Sequence, residues 1–82
     1  MKHAGPEALD RVEPLLTLLR GLPGLRERNR GTFYRRSRAF IHFHEDPDGL
    51  FVDVRYERDL ERMRVTTGAE QERFFQQVRG AV

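Results

Sequence analysis

Two histidines, His42 and His44, stand two residues apart in the run Ile41-His42-Phe43-His44-Glu45-Asp46. A Pro47-Asp48-Gly49 turn follows, and then a second apolar run that carries Asp53. Residues i and i+2 of a strand project from the same side, so the two imidazoles are paired nitrogen donors. With a carboxylate from a neighbouring strand they make a donor set that suits divalent transition metals, and Asp53 is the first candidate for that third ligand. Glu45 and Asp46 are its nearest alternatives. The same groups could instead serve as a His–carboxylate acid/base pair. The stronger expectation is plainer: half-buried sheet histidines, hydrogen-bonded or facing water.

A second set of chemically capable residues lies just upstream. Residues 24–38 carry Arg26, Arg28, Arg30, Arg35, Arg36 and Arg38 against Glu27 alone, interleaved with Phe33 and Tyr34. Strand-borne aromatics can stack bases while guanidiniums hold phosphates, so this stretch invites nucleic acid. Residues 45–61 invert the balance, with seven acids against Arg55 and Arg58. The two blocks can satisfy each other within the fold, which is the favoured reading, or pair between two copies. The net charge of +2 is small for a dedicated nucleic-acid binder.

Other chemistries lack their residues. The chain has no cysteine, which excludes disulfides, thiolate zinc sites and cysteine nucleophiles. Ser37 is the only serine and has no G-x-S-x-G context. Gly21 and Gly24 match neither phosphate-loop fingerprint, and the single lysine, Lys2, is terminal. No apolar run approaches the ~20 residues that cross a bilayer, and no signal-peptide core is visible, so a cytoplasmic location without membrane association is expected.

The elements that must position these residues follow from periodicity and turn chemistry. Met1 to Gly5 is expected as a frayed tail, and residues 6–82 as one α+β domain. Leu9, Val12, Leu15, Leu16, Leu18 and Leu19 make one broad helical face between Pro6 and Arg20, with a kink or a fresh start at Pro14. Gly21 and Pro23-Gly24 end it. Candidate strands follow at 25–30, 32–36, 38–45 and 50–56, with a fifth, edge strand at 62–67. Thr67 and Glu70 then form a T-x-x-E capping box that opens a helix whose stripe is Phe74, Phe75, Val78 and Val82. The expected fold is an antiparallel sheet of four to five strands flanked by an N-terminal and a C-terminal helix.

Two hairpin registers compete around Asp46-Pro47-Asp48-Gly49. Turn chemistry favours a three-residue loop with a glycine bulge, which sets Asp46 opposite Leu50, His44 opposite Val52 and His42 opposite Val54. Hydrophobic patterning favours the register one residue away, which sets His42 opposite Asp53. A one-residue slip exchanges every side chain between faces. The turn-derived register is preferred here, because its signal is local.

The segments Leu22-Pro23-Gly24-Leu25, Phe33-Tyr34-Arg35, Ala39-Phe40 and Leu50-Phe51-Val52 resemble the small bacterial YjbR/MmcQ-like proteins. The resemblance covers about residues 15–67. It implies a helix, an LPG turn, an antiparallel sheet and C-terminal helical material, in proteins often described as DNA-binding. Arg38 stands where that family often has a lysine, and no binding residue is carried over. His42-Phe43-His44-Glu45-Asp46 is also similar to the H-x-H strand of a bacterial luciferase-like domain.

The functional expectation is a small non-catalytic binding or interaction module without a cofactor. At this length folding buries roughly 60–65% of the chain's surface, so a homodimer is one way to gain buried area. The alternatives are nucleic-acid binding through Arg26, Arg28, Arg30, Arg35, Arg36 and Arg38, and a metal or small-ligand site at His42, His44 and Asp53.

Overall fold

The computed structural model describes residues 1–82 and is an α+β structure. The order is β1 (Lys2–His3), α1 (Pro6–Arg11), α2 (Glu13–Arg20), β2 (Arg26–Asn29), β3 (Thr32–Arg35), β4 (Arg38–Asp46), β5 (Gly49–Tyr56), β6 (Asp59–Arg64) and α3 (Gly68–Ala81). The sheet is antiparallel, runs β2-β3-β4-β5-β6, and is not closed into a barrel. No helix is long and apolar enough to cross a membrane.

The N-terminal residues are not a frayed tail. Lys2 and His3 pair with Glu45 and His44, and Ala4 N–H donates to the Phe43 carbonyl. β4 is nine residues long and β3 only four, so β4 extends past the end of β3 and leaves backbone groups to satisfy. β1 takes them up. Glu45 also reaches back, its carboxylate accepting the Gly5 N–H at 2.6 Å.

Pro14 divides the N-terminal helical segment as its chemistry demands. It lacks the N–H that would continue the ladder, and its ring would meet the carbonyl four residues earlier. Val12, at φ −109° and ψ 11°, is the break, and Pro14 sits in the first turn of α2. Leu9, Val12, Leu15, Leu16 and Leu19 are buried, whereas Leu18 falls outside the stripe and is exposed.

The β4–β5 hairpin takes the patterned register and not the turn-derived one. Glu45 pairs with Leu50, Phe43 with Val52, His42 with Asp53 and Ile41 with Val54. Asp46 faces Gly49, so the loop is only Pro47-Asp48, and Asp46 Oδ1 accepts the Asp48 N–H at 2.8 Å. The reason is burial. This register sends Ile41, Phe43, Leu50, Val52 and Val54 to one face, where each is at most 4% exposed. The alternative would have turned Leu50, Val52 and Val54 onto the same side as the histidines. Burying side chains of this size contributes about 1.5–3 kcal/mol apiece, more than a local turn preference can offset. Gly49 absorbs the mismatch at φ 148°, a value that L-residues avoid.

A bulge adds one more aromatic to the covered face. Thr32 pairs with His42 and Phe33 with Ile41, but Tyr34 pairs with Ala39, which leaves Phe40 without a partner across the ladder. Phe40 and Ile41 are consecutive and both buried. Phe40 meets the Tyr56 ring edge-on at 5.8 Å, and the Tyr56 hydroxyl accepts from Gln77 of α3.

The three helices supply the other half of the core. Leu9, Val12, Leu15, Leu16, Leu19, Phe74 and Val78 cluster with Phe33, Ile41, Val52, Val54 and Val65. α3 opens with the expected capping box: Thr67 Oγ1 accepts the Glu70 N–H, and Glu70 Oε1 accepts the N–H groups of Thr66 and Thr67. Its buried stripe is narrower than expected. Phe74 and Val78 are buried, Phe75 is half-buried, and Val82 is 37% exposed beyond the last turn. The edge strand begins and ends three residues earlier than the 62–67 expected, because Thr66 turns aside to bond Leu50 through both N–H and carbonyl.

Candidate functional site: the open sheet face

With the helices on one face, the other is left uncovered, and alternation decides what it carries. His42, His44, Phe51, Asp53 and Arg55 come from β4 and β5, His3 from β1, and Arg62 and Arg64 from β6. Tyr34 and Arg26, partners across β2–β3, continue it. Asp53 is the carboxylate at its centre, and Asp46 of β4 shares the same parity at the hairpin end. The histidines and Arg26 therefore share one surface, whereas Arg35 and Arg38, paired with each other across β3–β4, alternate to its other side.

At the β2–β3 end, a groove of about 460 Å³ is lined by Gly24, Arg26, Arg28, Tyr34, Arg36 and Ser37. Arg28 is the bulged residue of β2, between the pairs Glu27–Phe33 and Asn29–Thr32, and its guanidinium lies over the Tyr34 ring at 5.0 Å. Arg36 and Ser37 form the β3–β4 turn with φ of 52° and 68°. Two successive left-handed residues are the type I′ geometry that closes tight hairpins, here without the glycine or asparagine that normally signals it. A second hollow shares Arg36 and adds Arg35, Arg38, Arg55 and Glu57 to its lining.

The expected cancellation of the basic block by residues 45–61 does not occur. No ion pair joins the two blocks: the pairs are Arg20 with Glu13 and Glu27, Arg30 with Asp10 and Glu13, Arg62 with Asp53, and Arg64 with Glu70. Arg30 is thereby committed to the helices and leaves the candidate surface. Its hydrogen bond, followed by that of Arg20, holds the Glu13 carboxyl at about 2. Arg26, Arg28, Arg35, Arg36 and Arg38 have no carboxylate partner.

The centre of the face holds the histidines. Their ring centroids are separated by 5.1 Å (His3–His44), 6.0 Å (His3–His42) and 6.4 Å (His42–His44). Burial, then the neighbouring His3 and His44, push the His42 imidazole below its ordinary pKa, against the pull of Asp53. Asp53 is 9% exposed and fully engaged. It accepts from Arg62 Nε at 2.6 Å and Arg62 Nη2 at 2.9 Å, and its Oδ2 lies 3.1 Å from His44 Nε2. The Arg62 hydrogen bonds hold its carboxyl below the usual carboxylate range.

His42, His44 and Asp53 are thus neighbours, but they are not assembled as a metal-binding triad, and no three such side chains converge on one point as they stand. Arg62 occupies the oxygens that a metal would need. Sequence reasoning sets His3 aside with the expected tail, because its place depends on the β1–β4 pairing, and misses Arg62, the bidentate partner of Asp53. The i,i+2 parity of His42 and His44 could have pointed to any residue paired beside β4, but nothing in a two-residue strand marks it as one. Compared with protein-family models, with curated proteins and with solved structures, the chain finds no match.

Proposed function

We propose that this protein is a non-catalytic binding module whose open sheet face takes a phosphate-bearing polyanion, with single-stranded nucleic acid as the class that fits best. One observation carries the reading: five arginines of the basic block have no carboxylate partner and surround two adjoining hollows on or beside an uncovered sheet. A guanidinium left unpaired on a surface is a ready phosphate donor, planar and able to bind in a bidentate manner. Tyr34 and Phe51 add aromatic surface on the same face, and Arg28 over Tyr34 makes a guanidinium–ring stack that a base can extend. Duplex DNA fits less well, because no helix projects from this face to enter a major groove.

The test is fluorescence anisotropy of labelled single-stranded oligonucleotides across a salt series. Binding should weaken steeply with salt, with a log–log slope of about 0.7 for each phosphate contacted. Substituting Arg26, Arg28 and Arg36 by alanine should lower both affinity and slope. No binding of single strands at low salt, or a triple variant that binds like the parent, would sink the reading.

A second reading follows from the same unpaired charge. The acidic turn residues Asp46 and Asp48 form no ion pair either, so the basic groove of one copy could receive the acidic turn of another. Sedimentation velocity at low salt separates the two: self-association that Asp48→Lys abolishes would favour the dimer.

A further inference from the structure

The histidine cluster is independent of the arginine groove and can do something of its own. Two of its members occupy i and i+2 of β4, and the third, His3, is paired directly beside His44 on β1. All three rings stand on the sheet face opposite the helices, with His3 exposed and His42 and His44 half-buried. Two imidazoles bound to one tetrahedral ion have centroids roughly 5 Å apart, from a metal–nitrogen distance of about 2.0–2.1 Å and the radius of the ring. The observed triangle of 5.1, 6.0 and 6.4 Å is slightly wider than that.

The surroundings also match what a ligating histidine needs. A metal-bound imidazole generally donates its other N–H to a carboxylate, which fixes tautomer and orientation. His44 Nε2 already lies 3.1 Å from Asp53 Oδ2, which leaves Nδ1 as its lone-pair nitrogen. Arg62 in turn braces Asp53 from the far side. Asp53 therefore belongs behind the ligands and not among them.

We propose that His3, His42 and His44 form a three-imidazole site for a divalent transition-metal ion of the zinc class, with Asp53 as the outer carboxylate that orients His44. The donor nitrogens do not converge in the present side-chain arrangement. The site requires the rings to turn toward a common point, and His3, exposed at the end of a two-residue strand, is the freest of the three to do so. The fourth coordination position would face solvent, which is the form that open, ligand-accepting zinc sites take. Arg55, on the same face, opposes a cation and keeps the affinity moderate.

The experiment is calorimetric titration of the full chain with zinc chloride, with the histidine ring signals followed by NMR. One ion per chain is expected, with all three rings shifting together. His3→Gln, His42→Gln and His44→Gln should each lower affinity at least tenfold, and Asp53→Asn about 10- to 100-fold. His3→Gln is the decisive variant, because its exposed position leaves the fold intact. If it binds zinc like the parent, if only two rings respond, or if zinc does not bind, the site as described does not exist. Oligonucleotide binding by the same variants is read separately and should not depend on zinc.

Discussion

His42 lies directly across the hairpin from Asp53, yet it is His44, two pairs further along the ladder, whose Nε2 reaches the Asp53 carboxylate at 3.1 Å. The diagonal contact is open to His44 because Arg62, the partner of Asp53 on the other side, anchors the carboxylate in place. Asp53 therefore joins three strands through side chains alone. It is also the buried negative charge at the centre of a mainly basic face.

That double role makes Asp53→Asn informative. Zinc affinity should fall, because His44 loses its orienting carboxylate. Oligonucleotide affinity should rise several-fold, because Arg62 is released and a charge that repels phosphate is gone. Stability should drop by about 1–3 kcal/mol, the scale of removing a charge-assisted hydrogen-bond acceptor. Anisotropy, calorimetry and urea denaturation read the three effects separately. Parallel movement of zinc and oligonucleotide affinities would contradict the division of the face into two sites.

The β3–β4 turn should trade stability against binding. Arg36 and Ser37 each hold a left-handed conformation that costs roughly 1–2 kcal/mol for a residue with a side chain. Replacing the pair by Asn-Gly, the dipeptide this turn prefers, should stabilise the fold by about 1–2 kcal/mol. It should also weaken polyanion binding, because Arg36 lines both hollows. A stabilised variant with unchanged binding would remove Arg36 from the proposed surface.

Stability should fall in acid through the Glu13 cluster. Glu13 is held at about 2, from an ordinary value of 4.5, by hydrogen bonds from Arg30 and Arg20. A carboxylate with a depressed folded pKa contributes stability that is complete above the unfolded value. The contribution is lost as pH falls from about 4.5 to about 2. Thermal melts of the parent and of Glu13→Gln should therefore differ at pH 6 and converge near pH 2. Added salt should shrink the gap, because the cluster is exposed.

Gly49 should be irreplaceable by alanine. A Cβ there would collide with Thr66 Oγ1, and φ is 148°. Gly49→Ala is expected to cost about 1–3 kcal/mol by urea denaturation. An unchanged midpoint would mean that the hairpin can close through a different loop.

The α3 cap gives a smaller effect of known size. Thr67→Ala removes the acceptor for the Glu70 N–H and should cost about 1 kcal/mol. A larger loss would mean that the cap also holds β6 in place through the Arg64–Glu70 pair.

Much of this molecule is legible from local rules. Pro14, the LPG turn, the strand pattern and the T-x-x-E box each act within a few residues, and the elements they announce are all present. The parity that puts His42 and His44 on one side of β4 is equally local and does not depend on the register. The register itself was not local. Turn chemistry around Pro47-Asp48-Gly49 argued for one alignment, and the burial of Leu50, Val52 and Val54 imposed the other. The Phe40 bulge and the Arg36-Ser37 turn carry no glycine or asparagine to announce them.

What the chain determined by itself is the α+β plan, the helix ends and the pairing of residues by face, because these depend on backbone propensity and side-chain period. Tertiary structure alone decided which face the helices cover, that His3 joins His42 and His44, and that Arg30 is tied up while five other arginines are not. Those outcomes depend on contacts between residues far apart in sequence, such as His3 with His44, Arg30 with Glu13 and Leu50 with Thr66. A lone histidine near one terminus and one arginine among six carry no local mark of where packing will send them.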